Sequence, residues 1–168
     1  EHDIKNYRGK KVIDVGSGTG IRTIVAGLSE AEKVLAVDIN AEAVENTIAN
    51  IKKYKLEDKV TALESDLFEN VEEKFDVVIA YLPIVPHKIK EKWELAVFDP
   101  NFSIHRRFFS QVKNYLNKEG IIKIVHSNKG NVSLFESLIE ENCLTISKKK
   151  SSYKFGLEWY FYDLKAED

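Results

Sequence analysis

At 168 residues and a formal net charge of −2, the chain is long enough for one domain with a substantial core, and its charge argues against a strong general attraction to nucleic acid while leaving room for a local basic patch. Its single cysteine, Cys143, cannot form an intramolecular disulfide, which points to a reducing cytoplasm; following the apparent helix end in EENCLTI, it reads as a small buried residue and not as a nucleophile. No apolar run reaches membrane-spanning length and no secretory signal is visible, so no membrane association is expected.

The predicted elements alternate along the chain. KKVIDV (10–15) is a short buried strand, followed by the glycine turn GSGTG and a helix in IRTIVAGL. KVLAVD (33–38) is a second strand. Asn40 caps a helix from Ala41, with Ala43, Val44, Ile48 and Ile51 at helical spacing. KVTALES (59–65) and KFDVVIA (74–80) are the third and fourth strands. SIHRRFFSQVKNYL (103–116) is a helix, with Gly120 as a stop signal after it. GIIKIVH (120–126) is the fifth strand and VSLFESLIEEN a helix. LTISKKK and LEWYFYDL, with no helical pattern between them, close the chain as a hairpin. No repeat or interdomain linker interrupts this order, so residues 1–168 read as a single domain. The chain has no methionine, even at position 1, consistent with a trimmed or processed piece that lacks an upstream segment.

Such alternation predicts an α/β fold with a mostly parallel sheet, helices on both faces and a C-terminal antiparallel hairpin. In open sheets of this kind ligands bind beyond the carboxyl ends of the strands. The first strand runs into Asp14-Val15-Gly16-Ser17-Gly18-Thr19-Gly20. Glycines at alternate positions allow a tight turn and close backbone approach to a ligand. A nicotinamide-dinucleotide fingerprint needs a glycine at position 21, which is Ile21, so that class is disfavoured. The second strand ends in AVDIN. Asp38 follows the glycine turn at about the spacing of an acid that grips ribose hydroxyls, although an Asp there can also serve the next helix's amides. The third ends in ESDLFE, where Asp66 is placed to accept from an amino group. The fourth ends in FDVVIAYLP.

Together VIDVGSGTG, AVDIN, ESDLFE and FDVVIAYLP resemble the ordered motifs of class I S-adenosylmethionine-dependent methyltransferases, over about Lys11 to Leu164. The resemblance implies a Rossmann-like seven-stranded sheet and S-adenosylmethionine as the cofactor. It implies that Asp14, Gly16, Ser17, Gly18, Thr19 and Gly20 approach the methionine part. Asp38 would hold the ribose hydroxyls, with Ile39 beside it in the cofactor site; Asp66, with the backbone near Leu67, would contact the adenine, and Ala80 would border the site.

Within that family the loop after the fourth strand lines the acceptor site. Protein-glutamine and many nucleobase methyltransferases carry Asn-Pro-Pro-Tyr there, and rRNA adenine dimethyltransferases Asn-Leu-Pro-Tyr. The same positions here read Tyr81-Leu82-Pro83-Ile84. A phenol both donates and accepts but sits further out than an asparagine amide and cannot reproduce its geometry. Tyr81 is therefore either an acceptor-contacting group or a pocket wall. FDPNFSIHRRFF resembles the corresponding region of the release-factor protein-glutamine methyltransferases, with Asp99-Pro100-Asn101 in the loop and His105-Arg106-Arg107 on the helix, though without the family's Asp-Gly.

Methyl transfer needs mainly in-line positioning, with a base only where the acceptor must lose a proton. Tyr81 and Pro83 are the catalytic-side candidates, joined by His126, expected to face the crevice from the end of the fifth strand; His87 and His105 read as structural, and His2 is discounted. No metal is expected. Charge favours a small-molecule or protein methyl acceptor, with an RNA base as the alternative. A cofactor-binding scaffold without turnover is a second reading, motivated by the altered acceptor motif. Lys148-Lys149-Lys150 with Lys154 reads as a solvated sheet edge or, less simply, a phosphate-facing patch. Trp93 reads as part of a lid or as a loop anchor.

Overall fold

The central apolar runs, Lys11–Val15, Lys33–Asp38 and Phe75–Ala80, are buried on both faces and must be covered twice, whereas the runs at the two edges of the sheet keep exposed positions. The computed structural model describes residues 7–88, 90–91, 94 and 96–167; His2 and Trp93 lie outside the described residues. The order of elements is β1 (Lys11–Val15), α1 (Ile21–Leu28), β2 (Lys33–Asp38), α2 (Ala41–Lys53), β3 (Val60–Glu64), β4 (Phe75–Ala80), α3 (Ser103–Val112), β5 (Leu116–Ser127), α4 (Val132–Glu141), β6 (Leu144–Lys154) and β7 (Leu157–Ala166). The seven strands lie in the order β3-β2-β1-β4-β5-β7-β6. β1 to β5 are parallel, while β7 runs antiparallel to both β5 and β6, as the closing hairpin requires.

Two cores result. On one face Val12, Val34, Val60, Val77 and Ile79 meet Ile24 and Ala26 of α1, Ile51 of α2 and Tyr7. On the other, Ile13, Val37, Val78, Ile122 and Ile124 meet Phe108 and Phe109 of α3 and Phe135 and Ile139 of α4. Each fully buried aliphatic or aromatic side chain contributes roughly 1.5–3 kcal/mol. Asn40 and Asn131 cap α2 and α4, accepting hydrogen bonds from the amides of Glu42 and Leu134.

Three expectations are corrected. The helix predicted to 116 ends at Val112 and leaves through a 3-10 turn, Lys113–Tyr115, which places buried Leu116 opposite Phe75 at the start of β5. Gly120 accordingly lies inside β5, where a Cβ would sit 2.6 Å from the Leu116 side chain, and is not a helix stop. Cys143 is exposed, not buried; it takes a left-handed φ of 53° just after α4, which turns the chain toward β6.

Candidate active site

The glycine turn is built by backbone closure. The amides of Gly16 and Ser17 both donate to the Val37 carbonyl, at 2.9 and 3.1 Å, stitching the end of β1 to the end of β2. Gly16 has φ 73° and its Cα faces the Tyr81 carbonyl, which a Cβ would meet at 3.0 Å, so a side chain there is opposed twice. Gly20, also left-handed, packs against Thr47 of α2. Asp14 lies below the turn, fully buried, accepting from the Thr23 hydroxyl at 2.7 Å; burial pushes its carboxyl up from the ordinary range despite that bond and nearby Arg22. Asp14 braces the turn against α1 and does not line the cleft above it.

That cleft has a volume of about 870 Å³. Gly16, Ser17, Gly18, Thr19, Asp38, Ile39, Asp66, Leu67, Tyr81 and Pro83 all line it; Asp14, Gly20, Ala80 and His126 do not. Asp38 is the hinge of one wall. One carboxylate oxygen accepts from the Gly18 amide at 2.9 Å and the other from the Asn40 amide at 2.9 Å. Both roles weighed for it are compatible, since each oxygen keeps a further lone pair for a ligand. Asp66, on the loop after β3, receives Arg107 of α3 at 3.0 Å on one oxygen, with both side chains partly exposed. Leu67 beside it holds φ 54°, and its carbonyl accepts from the Ser65 hydroxyl at 3.1 Å.

Tyr81 closes the opposite wall. Its amide continues the ladder by donating to the Val15 carbonyl at 3.2 Å, and its ring lies under the Arg22 guanidinium, 3.9 Å from the centroid. Trp159 of β7 flanks the ring at 6.3 Å. Burial raises the phenol's pKa, and the Arg22 charge opposes that shift without reversing it. Tyr81 therefore stays protonated at neutral pH, a donor and acceptor of hydrogen bonds and not a phenolate base.

His126 corrects the expectation that it faces the crevice. It shares its side of β5 with Ile122 and Ile124 and is fully buried, its ring stacked on Phe135 at 4.3 Å. Desolvation, with nearby His105, lowers its pKa to about 3, and neither ring nitrogen has a hydrogen-bond partner among the described residues. A base needs access to the acceptor proton, which this position denies. Its alternation with two isoleucines was the available signal. His105 is also buried; its Nδ1 lies 2.7 Å from Asp99, whose carboxylate also accepts from the amides of Ile104 and His105. Desolvation would raise the Asp99 pKa, but these bonds hold it below the usual range. His87 is exposed and outside the cleft, against Phe98.

Two cleft residues escaped sequence reasoning in this role, Arg107 and Arg22. Arg22 had a signal: a cation in the first turn of a helix opposes the helix dipole. The cleft also shows what a bound cofactor would use. The Ser17 hydroxyl is buried without a hydrogen-bond partner among the described residues, and Asp38 and Asp66 offer acceptor oxygens on adjacent strand ends. These donors and acceptors fit an amino acid, a ribose and an amino-bearing base.

Comparison with known proteins agrees. Residues 2–155 match the family model described as Methyltransferase small domain. A Methanocaldococcus jannaschii protein named as a putative protein N5-glutamine methyltransferase is 36% identical over 132 residues, 75% of this chain and 64% of that one. The ribosomal protein L11 methyltransferase of Carboxydothermus hydrogenoformans is 45% identical over 83 residues, 49% of this chain and 27% of that one. The chain thus spans less than two thirds of either relative. Among solved structures, a tRNA methyltransferase from M. jannaschii superposes with a TM-score of 0.74 at 25% identity, over 98% of this chain and 47% of that one. The ribosomal protein L11 methylase of Lactobacillus delbrueckii shares the fold at a TM-score of 0.70, with 22% identity over 97% of this chain and 73% of that one. With glycine turn, acidic strand ends and family model in agreement, the chain belongs to the methyltransferase small-domain family, whose cofactor is S-adenosylmethionine.

Proposed function

We propose that this protein transfers a methyl group from S-adenosylmethionine, held in the cleft at the carboxyl ends of β1, β2 and β3, to a nitrogen or oxygen atom brought against Tyr81. The carrying observation is the convergence of Gly18, Asp38, Asp66 and Tyr81 on one cleft. Asp38 holds the ribose hydroxyls while keeping the Gly18 and Asn40 amides, so it positions both ligand and turn. Asp66 accepts from the adenine amino group with the oxygen that Arg107 leaves free. Ser17 supplies its unpartnered hydroxyl to the amino-acid end. The cofactor's sulfonium supplies an already activated methyl, which leaves the protein mainly positioning to do.

Tyr81 and Pro83 shape the acceptor side. The protonated phenol orients the acceptor through a hydrogen bond or ring contact, and Arg22 fixes the ring. The acceptor belongs to a protein or an RNA, in line with what the relatives' names state for them. The unpaired cysteine fits a cytoplasmic setting. Calorimetry with S-adenosylmethionine and S-adenosylhomocysteine tests the reading: both bind in the micromolar range, and absence of binding at millimolar cofactor overturns it. Transfer of tritium from the labelled methyl into a cell extract then separates an enzyme from a binding scaffold.

A further inference from the structure

The face of the sheet that packs on α1 carries a second concavity, a groove of about 450 Å³ running over β5, β7 and β6. Ile21, Arg22 and Tyr81 wall both groove and cleft, so the two meet at the tyrosine. The groove is lined by rings and cations, among them Trp159, Phe155 and Lys154. Strand alternation extends the cationic side. Lys148, Lys150 and Lys154 pair with Asp163, Phe161 and Leu157, on the same side of the hairpin as Ser152 and Trp159. Three lysines spaced over six residues of strand span about 20 Å. Asp163, the acid on this stripe, is already taken by Lys123 at 3.0 Å. Lys149 points to the other side and pairs with Glu136.

Phe155 is the second observation. It is 97% exposed at the hairpin tip. It also holds φ 55°, followed by Gly156 at 75°, a turn whose first position suits asparagine or glycine and resists a bulky side chain. Lysines on an edge strand protect it from pairing with other sheets. That role explains Lys148 and Lys150 but not an exposed phenylalanine in a strained turn, a double breach of local rules of the kind that marks functional positions.

Resting on the cofactor reading above, we infer that this groove takes a single-stranded RNA segment and delivers one of its bases to the cleft at Tyr81. Bases stack on Trp159 and Phe155, the delivered base reaches Tyr81 at the junction with the cleft, and phosphates follow the lysine stripe. Ring stacking tolerates any base, and a cationic track beside a ring platform is the chemistry of single-strand recognition. An acidic peptide would satisfy the lysines but leave the ring walls without planar partners. The net charge of −2 is compatible, because the attraction is local and the charge of the rest of the chain lies elsewhere.

The test is fluorescence anisotropy of the whole protein with a labelled single-stranded RNA dodecamer, at two salt concentrations, beside a labelled acidic peptide dodecamer. Phe155→Ala weakens RNA binding about fivefold or more, the lower range for one base–ring stack. Replacing Lys148, Lys150 and Lys154 together by Gln lowers the salt-dependence slope by roughly 2, at about 0.7 for each phosphate that is no longer neutralised. Phe155→Asn suits the turn, so a variant that melts no lower than the parent yet binds RNA more weakly separates recognition from folding. RNA binding that is absent, or unchanged in all three variants, overturns the inference. So does peptide binding that Phe155→Ala abolishes while RNA binding is absent, which assigns the groove to protein. S-adenosylhomocysteine calorimetry on the same samples keeps the two readings apart: intact cofactor binding without RNA binding overturns the groove alone, and RNA binding without cofactor binding overturns the cleft alone.

Discussion

The two halves of the strand ends behave differently. At β1, β2 and β3 the expected ligand-facing residues line the cleft apart from Asp14 and Gly20; at β4 and β5 Tyr81 and Pro83 line it, Ala80 does not, and His126 is turned into the core. The first half works through the backbone: glycine amides closing on the Val37 carbonyl, and a carboxylate bridging the Gly18 and Asn40 amides. Such features are local in sequence. The second half works through side chains whose use depends on which face of a strand they occupy and what packs there. Motif reading therefore predicts which residues line the cleft better where the backbone turn forms its wall than where single side chains do.

The sharpest challenge to this contrast is Asp38→Ala. It removes two charge-assisted acceptors, together worth on the order of 3 kcal/mol or more, so cofactor affinity falls more than a hundredfold by calorimetry. Retention of near-parental affinity would mean that the backbone half does not depend on its carboxylate. Gly16→Ala comes next. A Cβ 3.0 Å from the Tyr81 carbonyl, at a φ of 73°, costs roughly 1–3 kcal/mol in urea unfolding. Gly18→Ala, with open space around its Cβ, pays only for φ and loses less.

His126 tests the other half. Its pKa is about 3 in the folded state against about 6.5 when free, so between those values the unfolded chain binds the extra proton. Stability therefore rises with pH up to about 6.5 and is lost as pH falls below it, by at most about 1.4 kcal/mol per pH unit from this group. His126→Phe keeps the stack on Phe135, removes two unpartnered nitrogens and flattens that slope in chemical denaturation at several pH values. Methyl transfer survives the change; its loss would restore the histidine as a base. The smallest effect belongs to Arg107→Ala. The Asp66 pair is partly exposed and worth at most about 1 kcal/mol, so cofactor affinity drops two- to fivefold.

Hydrophobic alternation and turn chemistry make the seven strands and four helices legible, because period and caps are properties of short segments. The end of α3 is not legible in this way: it is set by Leu116 finding Phe75 across the sheet, on a strand that precedes the helix. Cys143 departs from expectation because apolar character says nothing of the left-handed turn that exposes it. For His126 two signals conflict: alternation with Ile122 and Ile124 points into the core, strand-end position points to the crevice, and packing against Phe135 decides for the core.

By itself the amino-acid order determined the glycine turn, the acidic residues at the end of β2 and just after β3, and the departure from asparagine at Tyr81. The tertiary structure alone decided that Asp14 braces the turn from beneath, that Arg107 reaches Asp66, and that Arg22 lies on Tyr81. It alone brought Lys154, Phe155 and Trp159, on the last hairpin, beside a tyrosine from the end of the fourth strand. The reason is range. Backbone conformation and charge are written within a few residues, whereas a groove is made by faces of strands far apart in the chain, and only their pairing in one sheet sets those faces side by side.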